Sequence, residues 1–266
     1  PKHDIQRQTV APIVASNSLS QMQELIRERT QYVLDSVPIG EEFSWVDTVS
    51  IELTTMMLAT LFDFPFEDRR KLTRWSDVTT AGPETGIVES EDQRRAELME
   101  CATYFMDLWQ QRVGGEGHDL ITMLANGEST KNMDPAEYLG NLLLLIVGGN
   151  DTTRNSMSGS IYGSSLFPEQ WDKVNANRDL IPNTVAEIVC WRTPQAYMRR
   201  TALEDVGVHG KTIKAGDKVA MWYVSGNRDE RKFENPNVLD FERKNARNHM
   251  SFGFGIPRCF ANRLAE

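Results

Sequence analysis

Ser251-Phe252-Gly253-Phe254-Gly255-Ile256-Pro257-Arg258-Cys259 carries one cysteine at the end of a run of glycines and aromatics, directly ahead of the helix-like stretch Asn262-Arg263-Leu264-Ala265-Glu266. Glycine lets the backbone turn tightly and approach a flat ligand closely. A following helix N-terminus and the neighbouring Arg258 favour the charged form of the sulfur. The pattern suits a thiolate presented to a metal, although a glycine-rich cysteine segment read alone is more often a buried free cysteine beside a turn.

The 266 residues, 40% hydrophobic and 25% charged, are enough to bury a sizeable core and read as one soluble, globular domain. Cys101, Cys190 and Cys259 are too far apart for a close-spaced zinc pattern, and their odd number argues against a disulfide framework, so a reducing cytoplasm is expected. The net charge of −9 disfavours general nucleic-acid binding. No apolar run approaches membrane-spanning length, so no membrane insertion is expected. Pro1 in place of an initiator methionine and a last helix barely begun at Glu266 suggest a chain truncated at both ends.

Hydrophobic spacing predicts a mainly helical protein. Asn17-Ser18-Leu19-Ser20 offers cap residues before Met22, Leu25, Ile26, Tyr32 and Val33, and further helices are expected over 45–62, 67–78 and 91–111. Residues 80–86 have loop composition, either a mobile lid or a surface turn. Asp134-Pro135 makes an N-cap with proline at the first helical position, and no further proline occurs before Pro168. A helix filling that interval spans about 45–50 Å. After a short helix near 183–192 the pattern turns to brief strands over 198–203, 206–209, 211–213 and 218–224.

Inside the long helix lies Gly148-Gly149-Asn150-Asp151-Thr152-Thr153. Adjacent glycines in a helix cost about 1 kcal/mol each against alanine, which something must offset. Close helix packing is one explanation. The other is room for a flat cofactor, with Thr152 bonding back to a carbonyl one turn earlier and Asp151-Thr152 acting as an acid and alcohol pair.

Several ordered segments resemble the cytochromes P450. Gly148 to Thr153 is similar to the oxygen-activating motif of that family's long helix, and Phe252, Gly253, Arg258 and Cys259 fall in a segment similar to its haem-binding loop. His3-Asp4-Ile5-Gln6-Arg7 resembles a propionate-binding helix, and Arg200-Thr201-Ala202 a strand supplying another propionate partner. The resemblance is greatest to the bacterial group that hydroxylates alkanes and fatty acids at the terminal carbon. It implies an α-rich triangular prism with a small β portion, haem b, and Cys259 as axial ligand of the iron. It also implies electrons from a [2Fe–2S] ferredoxin and its FAD-dependent NADH reductase. Catalytic roles for Asp151 and Thr152 follow from it, as do propionate contacts from His3, Arg7 and Arg200. Gly148 would lie against the cofactor. Leu144, Val147 and Gly148, with Ala196, Tyr197 and Met198, would face a small apolar substrate and O2.

Departures from the family pattern leave a second reading, a non-catalytic or haem-deficient fragment. Cys190 stands where the motif begun by Glu187 has arginine, Pro257 where the cysteine loop has histidine, and Ala261 where it has glycine. In the family, Glu187 belongs to a buried ion-pair network, for which Arg243 is the candidate partner. Arginine restored at position 190 would then be expected to stabilise the chain.

Overall fold

The computed structural model describes residues 2–255 and 258–266. They form two compact units, Pro1–Ser158 with Phe260–Ala265, and Gly159–Cys259 with Glu266. Ile256 and Pro257, and with them the reading of Pro257 as a departure, lie outside the described residues.

The first unit is helical. Helix α1 (Lys2–Val10) leads through a 3-10 turn into α2 (Ser16–Asp35), which begins earlier than its sequence signals. Asn17 to Ser20 sit inside its first turn, where Ser18 Oγ donates to the Pro12 carbonyl at 2.8 Å instead of capping. A π-helical turn, Val46–Ser50, precedes α3 (Ile51–Phe62), which stops where Asp63 takes a left-handed φ of 45°. Next come α4 (Arg70–Thr80) and α5 (Glu91–Arg112), the latter capped by Ser90 accepting the Gln93 N–H. Between α4 and α5, the loop-composition stretch contains a 3-10 turn at Pro83–Thr85. The core gathers Phe62, Leu72, Trp75, Phe105, Ile121, Leu142 and Ile146, all buried, with Phe64 stacked on Tyr104 at 5.0 Å.

The short helix α6 (Leu120–Asn126) was not anticipated from hydrophobic spacing, because seven residues are too few to establish a period. Its cap was nevertheless present in the sequence, since Asp119 accepts the Thr122 N–H at 2.9 Å. The long helix α7 (Pro135–Leu166) fills the interval between the prolines as expected, with Asp134 Oδ1 accepting the Glu137 N–H at 2.9 Å.

In the second unit Pro168 does more than end α7: it opens α8 (Pro168–Ala176), the start position that proline's fixed φ also favours. Helix α9 (Ile181–Arg192) ends at Thr193, whose φ is 44°. Strands β1 (Tyr197–Thr201), β2 (Val206–Val208), β3 (Lys211–Ile213) and β4 (Lys218–Trp222) make two antiparallel pairs, β1 with β4 and β2 with β3. The β2–β3 turn, His209-Gly210, has φ of 47° and 74°, matching the right-handed strand twist of a tight hairpin. A single helical turn α10 (Tyr223–Asn227) and mostly irregular backbone follow, packing Leu239 and Phe241 with Val174 and Ile188. The chain closes with α11 (Asn262–Ala265), in the first unit.

Candidate functional site

One face of α7 carries five of the residues singled out by sequence. Leu144, Gly148 and Thr152 recur every four residues, flanked by Val147 and Asp151. Leu144 is 63% exposed and therefore not core, while Val147 is half-buried. Thr152 Oγ1 donates to the Gly148 carbonyl at 3.0 Å, the bond one turn back that the sequence suggested. That bond uses the hydroxyl proton, so the oxygen offers lone pairs to whatever approaches this face.

The two glycines have different reasons. A Cβ at Gly149 would lie 2.6 Å from Leu58 Cδ2, so this glycine lets α3 and α7 approach closely. A Cβ at Gly148 would meet nothing within 4 Å, leaving a shallow open face beside Thr152. Gly149→Ala is therefore expected to destabilise by about 1–3 kcal/mol, because buried Leu58 must move. Gly148→Ala should instead stabilise the ligand-free chain by up to about 1 kcal/mol through helix propensity. Thermal unfolding of the two variants checks this contrast, and equal effects would contradict it.

Asp151 is engaged rather than free. Its Oδ1 lies 2.6 Å from Arg154 Nη2, which also reaches Asp77 Oδ1 of α4 at 3.1 Å. Burial opposes the charge on Arg154, yet Asp77 and Asp151 outweigh it and hold the guanidinium above its usual range. Sequence reading missed Arg154; its position one turn after Asp151 was the available signal. Buried Asn150 accepts from Thr54 Oγ1 at 3.0 Å, packing the same stretch against α3.

On α1, His3 and Arg7 lie one turn apart. His3 Nδ1 is 3.2 Å from Asp4 Oδ1, and the Arg7 guanidinium sits 5.7 Å from the ring centre of Phe260, the residue after Cys259. In the second unit, Arg200 of β1 donates to the carbonyl of Arg199 at 3.0 Å. Ala196 and Tyr197 are exposed and Met198 is half-buried, accepting from Gln195 Nε2 at its sulfur.

The cysteine loop is shaped by its glycines. Gly253 and Gly255 have φ of 72° and 73°, conformations that residues with a side chain rarely adopt. The Gly253 N–H donates to the Met250 carbonyl at 2.8 Å, and the Cys259 N–H to that of Phe252 at 2.8 Å. Cys259 is half-buried and Arg258 exposed. Cys101 and Cys190 are buried, and burial pushes both thiols up to about 12, so neither presents a thiolate at neutral pH. Within the second unit, a half-buried cysteine at a glycine turn is a donor of the kind that fits haem iron.

Glu187 has its cation. It is 1% exposed, and Arg243 Nε lies 3.0 and 2.9 Å from its two oxygens. The Asp240 N–H adds a third bond at 3.1 Å. Arg228, half-buried, donates to the carbonyls of Cys190 and Trp191 at the end of α9. The reason for expecting arginine at 190 to stabilise thus lapses, since a guanidinium there would enter a filled, already cationic interior.

His249 is held neutral. Burial, and then Arg258 and Arg247, push it down to about 4 from 6.5. Its Nδ1 accepts the Ser251 N–H at 3.2 Å. Because the unfolded chain binds this proton more readily, the stability present above pH 6.5 falls away as pH drops towards about 4. Against His249→Asn, which keeps an acceptor but does not titrate, the native chain should lose about 3 kcal/mol across that window. Urea titrations at several pH values measure the difference, and parallel curves would refute it.

A mainly helical protein with a long glycine-interrupted helix and a glycine-turned cysteine loop is the class these elements define. Residues 114–266 match the cytochrome P450 family. Cytochrome P450-153 from Novosphingobium aromaticivorans is 49% identical, with a TM-score of 0.91 over 100% of this chain and 65% of its own. CYP153D17 from Sphingomonas sp. PAMC 26605 is 51% identical at the same TM-score, with 66% of its chain covered. Linalool 8-monooxygenase of Pseudomonas putida is 34% identical over 100% of this chain and 66% of its own length. The chain belongs to the cytochrome P450 family and has its fold, spanning 62–66% of the length of the first curated relatives it matches. Haem is the family's cofactor. Among the described residues no helix is long and apolar enough to cross a membrane.

Proposed function

We propose that this chain is part of a cytoplasmic haem-thiolate monooxygenase that oxidises medium-chain alkanes or fatty acids at the terminal carbon. The observation that carries the reading is the loop at Cys259, where two left-handed glycines set a reachable cysteine while the other two thiols are buried. Similarity of about half the residues to two P450-153 proteins supports the substrate class. So does a methyl-branched lipid omega-hydroxylase of Mycobacterium tuberculosis, 29% identical.

Haem, when bound, supplies the oxygen chemistry. Cys259 would hold its iron as thiolate, and His3, Arg7 and Arg200 are each candidates to neutralise its propionates. Phe252, Gly253 and Arg258 shape and charge the loop. Thr152, with its proton committed to Gly148, accepts a hydrogen bond at Oγ1. Asp151 would carry protons towards it, with Arg154 bound to Asp151 and also to Asp77. Leu144 and Val147 in the first unit, and Ala196, Tyr197 and Met198 in the second, are each candidates for contact with the apolar chain of the substrate. Electrons come from a [2Fe–2S] ferredoxin and its FAD-dependent NADH reductase.

The test begins with the ferrous–carbonyl spectrum of the haem-loaded chain, where a thiolate-type band is expected. Turnover with ferredoxin, reductase and NADH on a series of alkanes and fatty acids should then give terminal alcohols. A native chain without the thiolate-type band overturns the thiolate ligand, and oxidation only within the chain overturns the regiochemistry.

A further inference from the structure

The backbone leading to Cys259 is fastened to the end of α9 through one buried amide. Asn227, the last residue of α10, is 1% exposed. Its Nδ2 donates to Thr193 Oγ1 at 2.8 Å and to Ser251 Oγ at 2.9 Å, with a longer approach of 3.4 Å to the Cys190 carbonyl. Its Oδ1 accepts the Met250 N–H at 2.7 Å.

Both hydroxyls have already given away their single protons. Thr193 Oγ1 donates to the Cys190 carbonyl at 2.6 Å, and Ser251 Oγ to the Val189 carbonyl at 2.8 Å. Each can therefore only accept from residue 227, while the Met250 N–H can only donate to it. Position 227 must supply two N–H donors and one acceptor together. An amide does so, whereas a carboxylate of the same size would face two lone pairs or pull the hydroxyls from α9.

The chain continues from this anchor straight into the cysteine loop. Met250, bonded by Asn227, gives its carbonyl to the Gly253 N–H, and Phe252, next to the anchored Ser251, gives its carbonyl to the Cys259 N–H. The end of α9 is a firm base, since Thr193 closes it in a left-handed conformation and Arg228 binds its last carbonyls.

We propose that Asn227 is a positioning residue for Cys259: through Met250 and Ser251 it fixes the cysteine loop on the end of α9 and so sets the direction in which the sulfur points. Its catalytic meaning rests on Cys259 being the iron ligand. The geometric claim is tested separately, by hydrogen exchange in the full chain without haem. Asn227→Asp and Ser251→Ala should each lose at least about tenfold in protection at the Gly253 and Cys259 amides, with α8 unchanged. With haem, both variants should shift part of the ferrous–carbonyl spectrum from the thiolate-type to the thiol-type band.

Unchanged protection at both amides in either folded variant would overturn the proposal. Equal loss throughout α8 and α9 would also overturn it, by making Asn227 a general support of the unit. Should Asn227→Asp fail to fold, Ser251→Ala decides alone. A native chain lacking the thiolate-type band would instead refute the ligand reading of Cys259, with the exchange data still judging Asn227.

Discussion

Arg243→Met is expected to destabilise the second unit by about 3–5 kcal/mol, because it leaves the Glu187 carboxylate buried without its cation. Glu187 and Arg243 are 1% and 7% exposed in their side chains, so solvent can neither screen the pair nor rehydrate a lone member. The guanidinium also stitches irregular backbone together, donating to the carbonyls of Glu234, Asn235 and Val238. Burial already raises the Glu187 carboxyl above its ordinary value, and the Asp240 N–H and Arg243 hold that rise in check.

Without Arg243 the carboxyl should rise further and take up a proton more readily. A folded-state value above the unfolded one means stability present at low pH and lost as pH climbs through it, so the variant's deficit should widen from pH 4.5 upward. Unfolding in urea at pH 5 and pH 8 measures both the deficit and its direction. The double variant Glu187→Leu, Arg243→Met should recover part of the loss, since removing both charges removes the unpaired ion. A deficit below about 1 kcal/mol at pH 8 would show that the pair is not what holds this unit together.

Cys259→Ser is expected to abolish the thiolate-type ferrous–carbonyl band while leaving the chain folded. Serine preserves the N–H bond to Phe252 and the size of a half-buried side chain, so the loop keeps its shape. It replaces a soft, readily ionised sulfur with an alcohol that stays protonated at neutral pH. Cys101→Ser and Cys190→Ser should keep the band, because both thiols are buried and burial pushes each up to about 12. Retention of the band in Cys259→Ser would remove this residue from the iron.

What the sequence by itself determined is whatever short-range chemistry decides. Asp134-Pro135 and the absence of proline up to Pro168 set the long helix, because capping and a fixed φ act within one turn. The glycines at 253 and 255 and the cysteine after them marked the candidate ligand loop, since left-handed φ is a local demand. The bond from Thr152 to Gly148 likewise lies within one turn. Short runs broken by turn residues were enough for the four strands but not for their pairing, while α6 and α8 escaped, being too short for a period or read only as the end of a neighbour.

Only the tertiary structure decided which of two adjacent glycines admits a neighbouring helix and which leaves a face open. Helix period says that Gly148 and Gly149 point differently but not what each meets; Leu58 answers that. The partners of buried charge and amide groups were equally beyond local reading. Arg154 reaches back to Asp77, Glu187 takes the Asp240 N–H together with Arg243, and Asn227 joins Thr193 to Met250 and Ser251. Such groups must be satisfied once water is excluded, and which group does so depends on the segments that packing brings together, not on residues nearby in the chain.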